Sequence, residues 1–246
     1  VNIKLKYTHN MNQHKATFTI KTFEIGPMAN LIYLITDIQT RKCAIVDPAW
    51  DLRGVYEYIN QNNLVLNRIL LTHSHNDHIN AIDEVLGSYD IPINLNNEEK
   101  NFWGTNYDNF DINYGGDQII LGKTLIKALH TPGHTPGSTC YLIDDQLIAG
   151  DTLFVFGCGR CDLHGGNPEE MYQSLNQLRQ CLGDSTIILP GHNYSIKKTS
   201  MFKDELESNP FFHFQNLEDF VQYRMSIHDK VRSSPYGPVK SNTKVY

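Results

Sequence analysis

The sequence predicts an α/β protein: a four-layer αββα sandwich, two sheets packed together with helices outside, ending in a short helical tail. Three observations predict it. Segments rich in β-branched and aromatic residues come in runs, and each run gives way to a segment of helical periodicity; this order occurs twice. The short, nearly all-apolar segment "NRILLT" suits a sheet covered on both faces. The chain has 246 residues, 40% of them apolar, enough to bury a substantial core. One main domain is expected over residues 1–198, with a helical extension over 199–246 packed on it.

The elements follow in order. "ATFTIKTF", "ANLIYLIT" and "RKCAIVD" read as three successive strands, bounded by Gly26-Pro27 and Asp47-Pro48. "WDLRGVYEYINQNN" carries Leu52, Val55, Tyr56 and Ile59 at helical spacing and ends in an Asn pair. "NRILLT" is the next strand, and "INAIDEVLGS" puts Ile79, Ile82, Val85 and Leu86 on one face of a helix that stops at Gly87. The second round is "DQIILG", "TLIKALHT", "TCYLID" and "QLIAGD", four strands separated by tight turns. "NPEEMYQSLNQLRQCL" starts a helix with Pro168 and two acids in its first turn. "STIILPGH" is a last strand, and beyond Lys198 the pattern turns helical and aromatic.

Composition excludes several classes. The formal charge of -6 gives no general attraction to nucleic acid. From Lys197 onward, however, eight basic residues face six acidic ones, so the tail is locally basic and could meet an anion. No apolar run approaches the ~20 residues a membrane span needs. The start, "VNIKLKYTHNMNQHK", lacks the apolar stretch of a signal peptide. Five scattered cysteines do not read as a disulfide framework, so a cytoplasmic protein is expected.

The stretch "THSHNDH", directly after a buried strand, holds His73, His75, Asp77 and His78. Residues two apart do not face each other on a helix. At a strand end His73 and His75 point the same way, while the following turn re-aims Asp77 and His78. The motif could thus serve two neighbouring centres. Imidazole and carboxylate without thiolate suit zinc, with iron or manganese compatible. A histidine-rich solvated loop is the bland alternative. Against it, further ligand types stand just past other apolar strands: His134 in "ALHTPGHTPGS", Asp151 in "LIAGDTLF" and His192 in "IILPGHNYS".

"THSHNDH", "TPGHTPGS", "GDTLF" and "PGHNYS" resemble, in this order, the successive metal motifs of the metallo-β-lactamase superfamily. The resemblance spans nearly all of Lys21 to Tyr194 and implies the same αββα sandwich. It implies a first metal on His73, His75 and His134, a second on Asp77, His78 and His192, and Asp151 bridging both. Such a site, with two zinc ions, hydrolyses activated acyl groups; Asp77 and Asp151 would lower its charge and orient the attacking water. A non-catalytic metal-binding interaction module fits poorly, because the implied sites leave a bridging position open.

Within the superfamily, "GCGR" followed by an acidic helix start resembles glyoxalase II, the thioester hydrolase acting on acylglutathione. There the residues matching Arg160 and Tyr194 contact the thiol carrier; for Arg160 the competing expectation is a structural salt bridge with Asp162. Glyoxalase II continues into a longer helical domain with a further basic pair, which has no clear match here. The ending "NPFFHFQNLEDFVQYRM" instead is similar to the zinc-dependent hydrolases of bacterial polyketide biosynthesis, implicated in removing acyl groups from carrier-protein phosphopantetheine. The expected substrate is therefore an acyl thioester on an acyl carrier protein. "GCGRCDLHGG" also resembles persulfide dioxygenase, which uses one iron on residues matching His73, His134 and Asp151. His164 is expected near the pocket mouth, in reach of substrate. His130 reads as a packed strand-end residue. Cys158 and Cys161 form a C-x-x-C in a loop, outside the strand-to-helix setting of redox pairs.

Overall fold

The computed structural model describes residues 17–240. The segment read for a signal peptide, and Lys244 of the basic tail, lie outside them. The first sheet runs, in spatial order, β1 (Phe18–Ile25), β2 (Asn30–Asp37), β3 (Lys42–Val46), β4 (Val65–Leu70), β5 (Ile93–Asn96) and β6 (Phe110–Asn113). Strands β1 to β3 form an antiparallel meander, and β3 to β6 are parallel. The parallel steps are made through helices: α1 (Arg53–Gln61), then α2 (Asn76–Ile79) and α3 (Ile82–Ser88), then α4 (Asn97–Trp103). The second sheet begins with the meander β7 (Gln118–Leu121), β8 (Thr124–His130), β9 (Thr139–Ile143) and β10 (Gln146–Gly150). A small hairpin, β11 (Leu153–Phe154) and β12 (Gly157–Cys158), and α5 (Pro168–Cys181) then lead to β13 (Ile187–Pro190), parallel to β10.

Why the layers stack is visible in β2, which is buried along its whole length. Its alternate side chains serve two cores. Leu31, Tyr33 and Ile35 join Ile126, Ala128, Tyr141 and Ile148 between the sheets. Ile32 and Leu34 join Leu52, Val55, Ile59, Ile82 and Val85 beneath α1 and α3. Beyond the second sheet, Leu175 and Leu178 of α5 pack with Leu147 and Ile188. This is the αββα sandwich.

The C-terminal segment adds to that last layer. Strand β14 (Ser200–Met201) pairs with β13, and α6 (Phe202–Ser208), a 3-10 turn (Pro210–Phe212) and α7 (Leu217–Gln222) follow. A π-helical stretch (Tyr223–Ile227) and α8 (His228–Val231) complete it. Phe202, Phe211, Phe212, Phe214 and Phe220 share one core with α5. Among the described residues no helix is long and apolar enough to cross a membrane. All five cysteines are free thiols.

One expectation needs correction. The helix read over "INAIDEVLGS" is broken at Asn80–Ala81, where Asn80 Oδ1 accepts from Trp50 N at 2.7 Å and Ala81 N donates to Pro48 O at 3.2 Å. The break frees α2 to turn separately, and α2 carries Asp77 and His78. Residues 93–113, unassigned from sequence, supply β5, α4 and β6.

Candidate metal centre

All seven predicted ligand residues stand just past the C-terminal ends of strands, where the two sheets share an edge. His73 and His75 lie in the loop after β4, with Asp77 and His78 on α2 behind it. His134 follows β8, Asp151 follows β10 and His192 follows β13. The fold brings them into two groups, His73/His75/His134 and Asp77/His78/His192, each with its ligand atoms within 4.8 Å of one another. In the first, His75 Nδ1 and His134 Nε2 are 2.9 Å apart. In the second, His78 Nε2 and His192 Nε2 are 3.1 Å apart, and Asp77 Oδ2 is 3.3 Å from His192 Nε2. Asp151 stands between the groups: Oδ1 lies 3.4 Å from His78 Nε2, and Oδ2 lies 3.5 Å from His134 Nε2 and 3.4 Å from His192 Nε2.

The outward-facing atoms explain why the inward ones are available. His134 Nδ1 is 2.7 Å from the Arg160 carbonyl and His192 Nδ1 is 2.9 Å from the Met28 carbonyl; a carbonyl only accepts, so each Nδ1 is the protonated nitrogen. His78 Nδ1 is likewise 3.0 Å from Asp47 Oδ2. In its neutral form each ring therefore turns an Nε2 lone pair to the centre. Lone pairs 3.1 Å apart, as in His78 and His192, need a proton or a cation between them. Asp77 is oriented by Asn30 Nδ2 (3.0 Å), whose Oδ1 accepts from Trp50 Nε1 (2.8 Å). His73 Nε2 and Asp151 Oδ1 are buried and have no hydrogen-bond partner. Orphaned buried acceptors of this kind fit metal ligation.

A third grouping, Asp47 with His73 and His78, meets the same distance test. Asp47 is occupied, however: it accepts from Thr72 N (2.7 Å), Thr72 Oγ1 (2.6 Å) and His78 Nδ1. It orients ligands instead. Its sequence signal, Asp47-Pro48, looks like an ordinary turn, and its positive φ of 52° could not be read from it.

Burial pushes His134 down to about 4 and His73 well below the usual imidazole range. Burial also acts against a charge on His192, but the carboxylates of Asp151 and Asp77 outweigh it and hold the ring up to about 10. For Asp151 burial is again opposed, here by the His192 and His78 rings, and the carboxyl sits well below its usual value. The two carboxylates thus call for positive charge at this point. Close packing enforces the geometry: a Cβ on Gly191 would lie 2.3 Å from Asp151 Oδ1, so the residue before His192 has to be glycine.

A cavity of about 830 Å³ opens onto His75, Asp77, His134, Asp151 and His192. Phe154, Tyr194, Pro235 and Tyr236 line it together with Arg160, Arg224 and Arg232, the last lying over the Tyr236 ring at 5.1 Å. Tyr194 stacks on His192 with ring centres 4.5 Å apart and planes 7° from parallel. Arg160 lines the cavity, and its guanidinium pairs with Asp162 at 2.8 and 2.7 Å, as the salt-bridge expectation has it. His164 is not brought to the cavity: its exposed ring stacks on Phe102 instead, with centroids 5.4 Å apart. Of the basic residues after Lys197, Arg224 and Arg232 line the cavity, both beside Asp229, while Lys198 pairs with Glu24 at 2.7 Å. Tyr236 was unmarked in the sequence; its backbone pairs with Tyr194 and Ile196 to close the rim.

Two sheets back to back, with a histidine–carboxylate cluster along their common edge, define a metalloprotein suited to a dinuclear centre. The chain belongs to the metallo-β-lactamase superfamily, whose description matches residues 25–192. It is 31% identical over 205 residues to the "Probable polyketide biosynthesis zinc-dependent hydrolase BaeB" of Bacillus velezensis, covering 83% of this chain and 91% of that one. It is 38% identical over 184 residues to a hydroxyacylglutathione hydrolase of Shewanella halifaxensis, covering 74% and 68%. The crystal structure of ETHE1 from Myxococcus xanthus superposes with a TM-score of 0.78 at 27% identity, covering 85% and 91%. These relatives support metal-dependent hydrolysis as the activity.

Proposed function

We propose that this protein uses two zinc ions to hydrolyse acyl thioesters carried on the phosphopantetheine arm of an acyl carrier protein. The observation that carries this reading is Asp151, set between two three-residue ligand groups at the floor of one open cavity. His73, His75 and His134 would hold the first ion, Asp77, His78 and His192 the second, with Asp151 touching both. When bound, such a pair supplies Lewis acidity and lowers the pKa of water to near neutral. The chain's own residues do the rest. The outward hydrogen bonds of His78, His134 and His192 fix their rings, Asp77 and Asp151 orient the attacking water, and Phe154, Tyr194 and Tyr236 offer the acyl group apolar surface.

The leaving group decides between substrates. A thiolate, with a conjugate pKa of about 8.5, departs without a dedicated acid. Apart from Asp77 and Asp151, the carboxyl lining the cavity is Asp229, and it is tied to Arg224 at 3.0 Å, which disfavours amide cleavage. Arg160, Arg232 and the buried Arg224 outnumber their partners Asp162 and Asp229 by three to two, a slight positive bias suited to a phosphate and an acidic carrier surface. The similarity to BaeB points the same way. A second reading, acylglutathione hydrolysis, is favoured by the 38% identity to a hydroxyacylglutathione hydrolase.

A side-by-side assay with one acyl group on three carriers tests this. Carrier protein and pantetheine esters are expected to give higher kcat/KM than the glutathione ester. Carrier-protein turnover should weaken with added salt, because rim charges act on encounter and are screened. Equal or better turnover of the glutathione ester would establish the second reading instead.

A further inference from the structure

The carboxylate of Glu99, on α4, is fully buried although nothing in the chemistry above uses it. Its Oε1 accepts from Ser74 N and Ser74 Oγ, both at 2.6 Å. Its Oε2 accepts from Thr135 Oγ1 at 2.7 Å and Gly137 N at 3.0 Å. Ser74 stands between His73 and His75, and Thr135 directly follows His134. One carboxylate therefore holds donors from both loops that supply the first ligand group. Its helix is docked with little tolerance, since a Cβ on Gly137 would fall 2.0 Å from Glu99 N.

We infer that Glu99 is a positioning residue that sets the spacing of His73 and His75 against His134, and so the affinity and geometry of the first metal position. The physical reason is that each oxygen accepts a backbone N–H. An amide has one acceptor and one donor end, so glutamine in either orientation turns its NH2 against Ser74 N or Gly137 N. A buried donor left unmatched pushes the two loops apart. The inference rests on the reading of His73, His75 and His134 as a metal-holding set. It goes beyond that reading by naming what holds the set together.

The test uses the full-length, zinc-loaded chain in a His192→Ala background, which isolates the first position. Competition against a chromophoric chelator measures its zinc affinity, and cobalt(II) substitution reports ligand geometry by absorption. Glu99→Gln is expected to weaken zinc binding ~10–100-fold, as loss of a ligand's outer support typically does, and to shift the cobalt bands. Ser74→Ala and Thr135→Val, which each remove one bond to Glu99, should give smaller losses in the same direction, and they decide the matter if Glu99→Gln does not fold. Unchanged zinc affinity and cobalt spectra would overturn the inference, even if the melting temperature fell, because the role would then be purely structural. His134→Ala is the control. If it leaves zinc affinity intact, the ligand reading fails; if it abolishes binding while Glu99→Gln does nothing, only the role of Glu99 fails.

Discussion

Single atoms decide what the centre can do, and Arg160 illustrates how to separate them. Its carbonyl fixes the His134 ring, whereas its guanidinium pairs with Asp162. Arg160→Ala removes only the second of these. The pair is about half exposed, so its contribution to stability is about 0–1 kcal/mol. The variant should keep its metal and its melting temperature while KM rises and kcat stays nearly constant, read from steady-state kinetics and metal analysis. Loss of metal or of fold would make the ion pair with Asp162 the residue's main role. The histidine and aspartate positions were legible because four ligand residues, His73, His75, Asp77 and His78, crowd one strand end. Asp47 and Glu99 were not, because an isolated acid in a turn or a polar helix carries no mark of the donors that fold around it.

The same limit holds for elements. Strand β2 and its partners were legible from their β-branched runs, and α5 from its first turn, where Asn167 accepts from Glu169 N and Glu170 N. Strand β5, "INLN", was not: two of its four residues are asparagines, buried here because Asn94 Oδ1 accepts from Asn113 Nδ2 at 3.1 Å across the sheet. The break between α2 and α3 depends on Trp50 and Pro48, far away in sequence. Helix α6 is fastened to the hairpin near the centre by Glu205, which accepts from Phe156 N (2.9 Å), Ser200 Oγ (2.6 Å) and Asn209 Nδ2 (2.8 Å). Burial pushes this carboxyl up to about 7 from its ordinary 4.5, although the three donors pull the other way. Folding thus favours the protonated form. That stability is whole below pH 4.5 and is lost as pH rises through 7, on the order of 3 kcal/mol in all. Urea unfolding of metal-free wild type and Glu205→Gln should show their difference in stability shrinking over that interval. A difference that grows with pH would mean that the three donors outweigh burial.

At the scale of the whole molecule, neither sheet contains a complete ligand group. His73, His75, Asp77 and His78 come from the first sheet's edge, and His134, Asp151 and His192 from the second. Each group in the cleft draws on both. The overall charge of -6 would repel an acidic partner, yet three arginines line the cavity. The sandwich is thus the device that assembles the centre, and the C-terminal segment lines the cavity above it with Arg224, Arg232 and Tyr236. The central claim is that two metals act together on a thioester. Zinc titrated into the metal-depleted full chain, with thiol release from an acyl-pantetheine ester followed throughout, tests it most directly. Hydrolysis should rise to a plateau at about two zinc equivalents per chain. Activity that instead needs a single iron, with oxygen consumed on glutathione persulfide and no thioester cleaved, would contradict it.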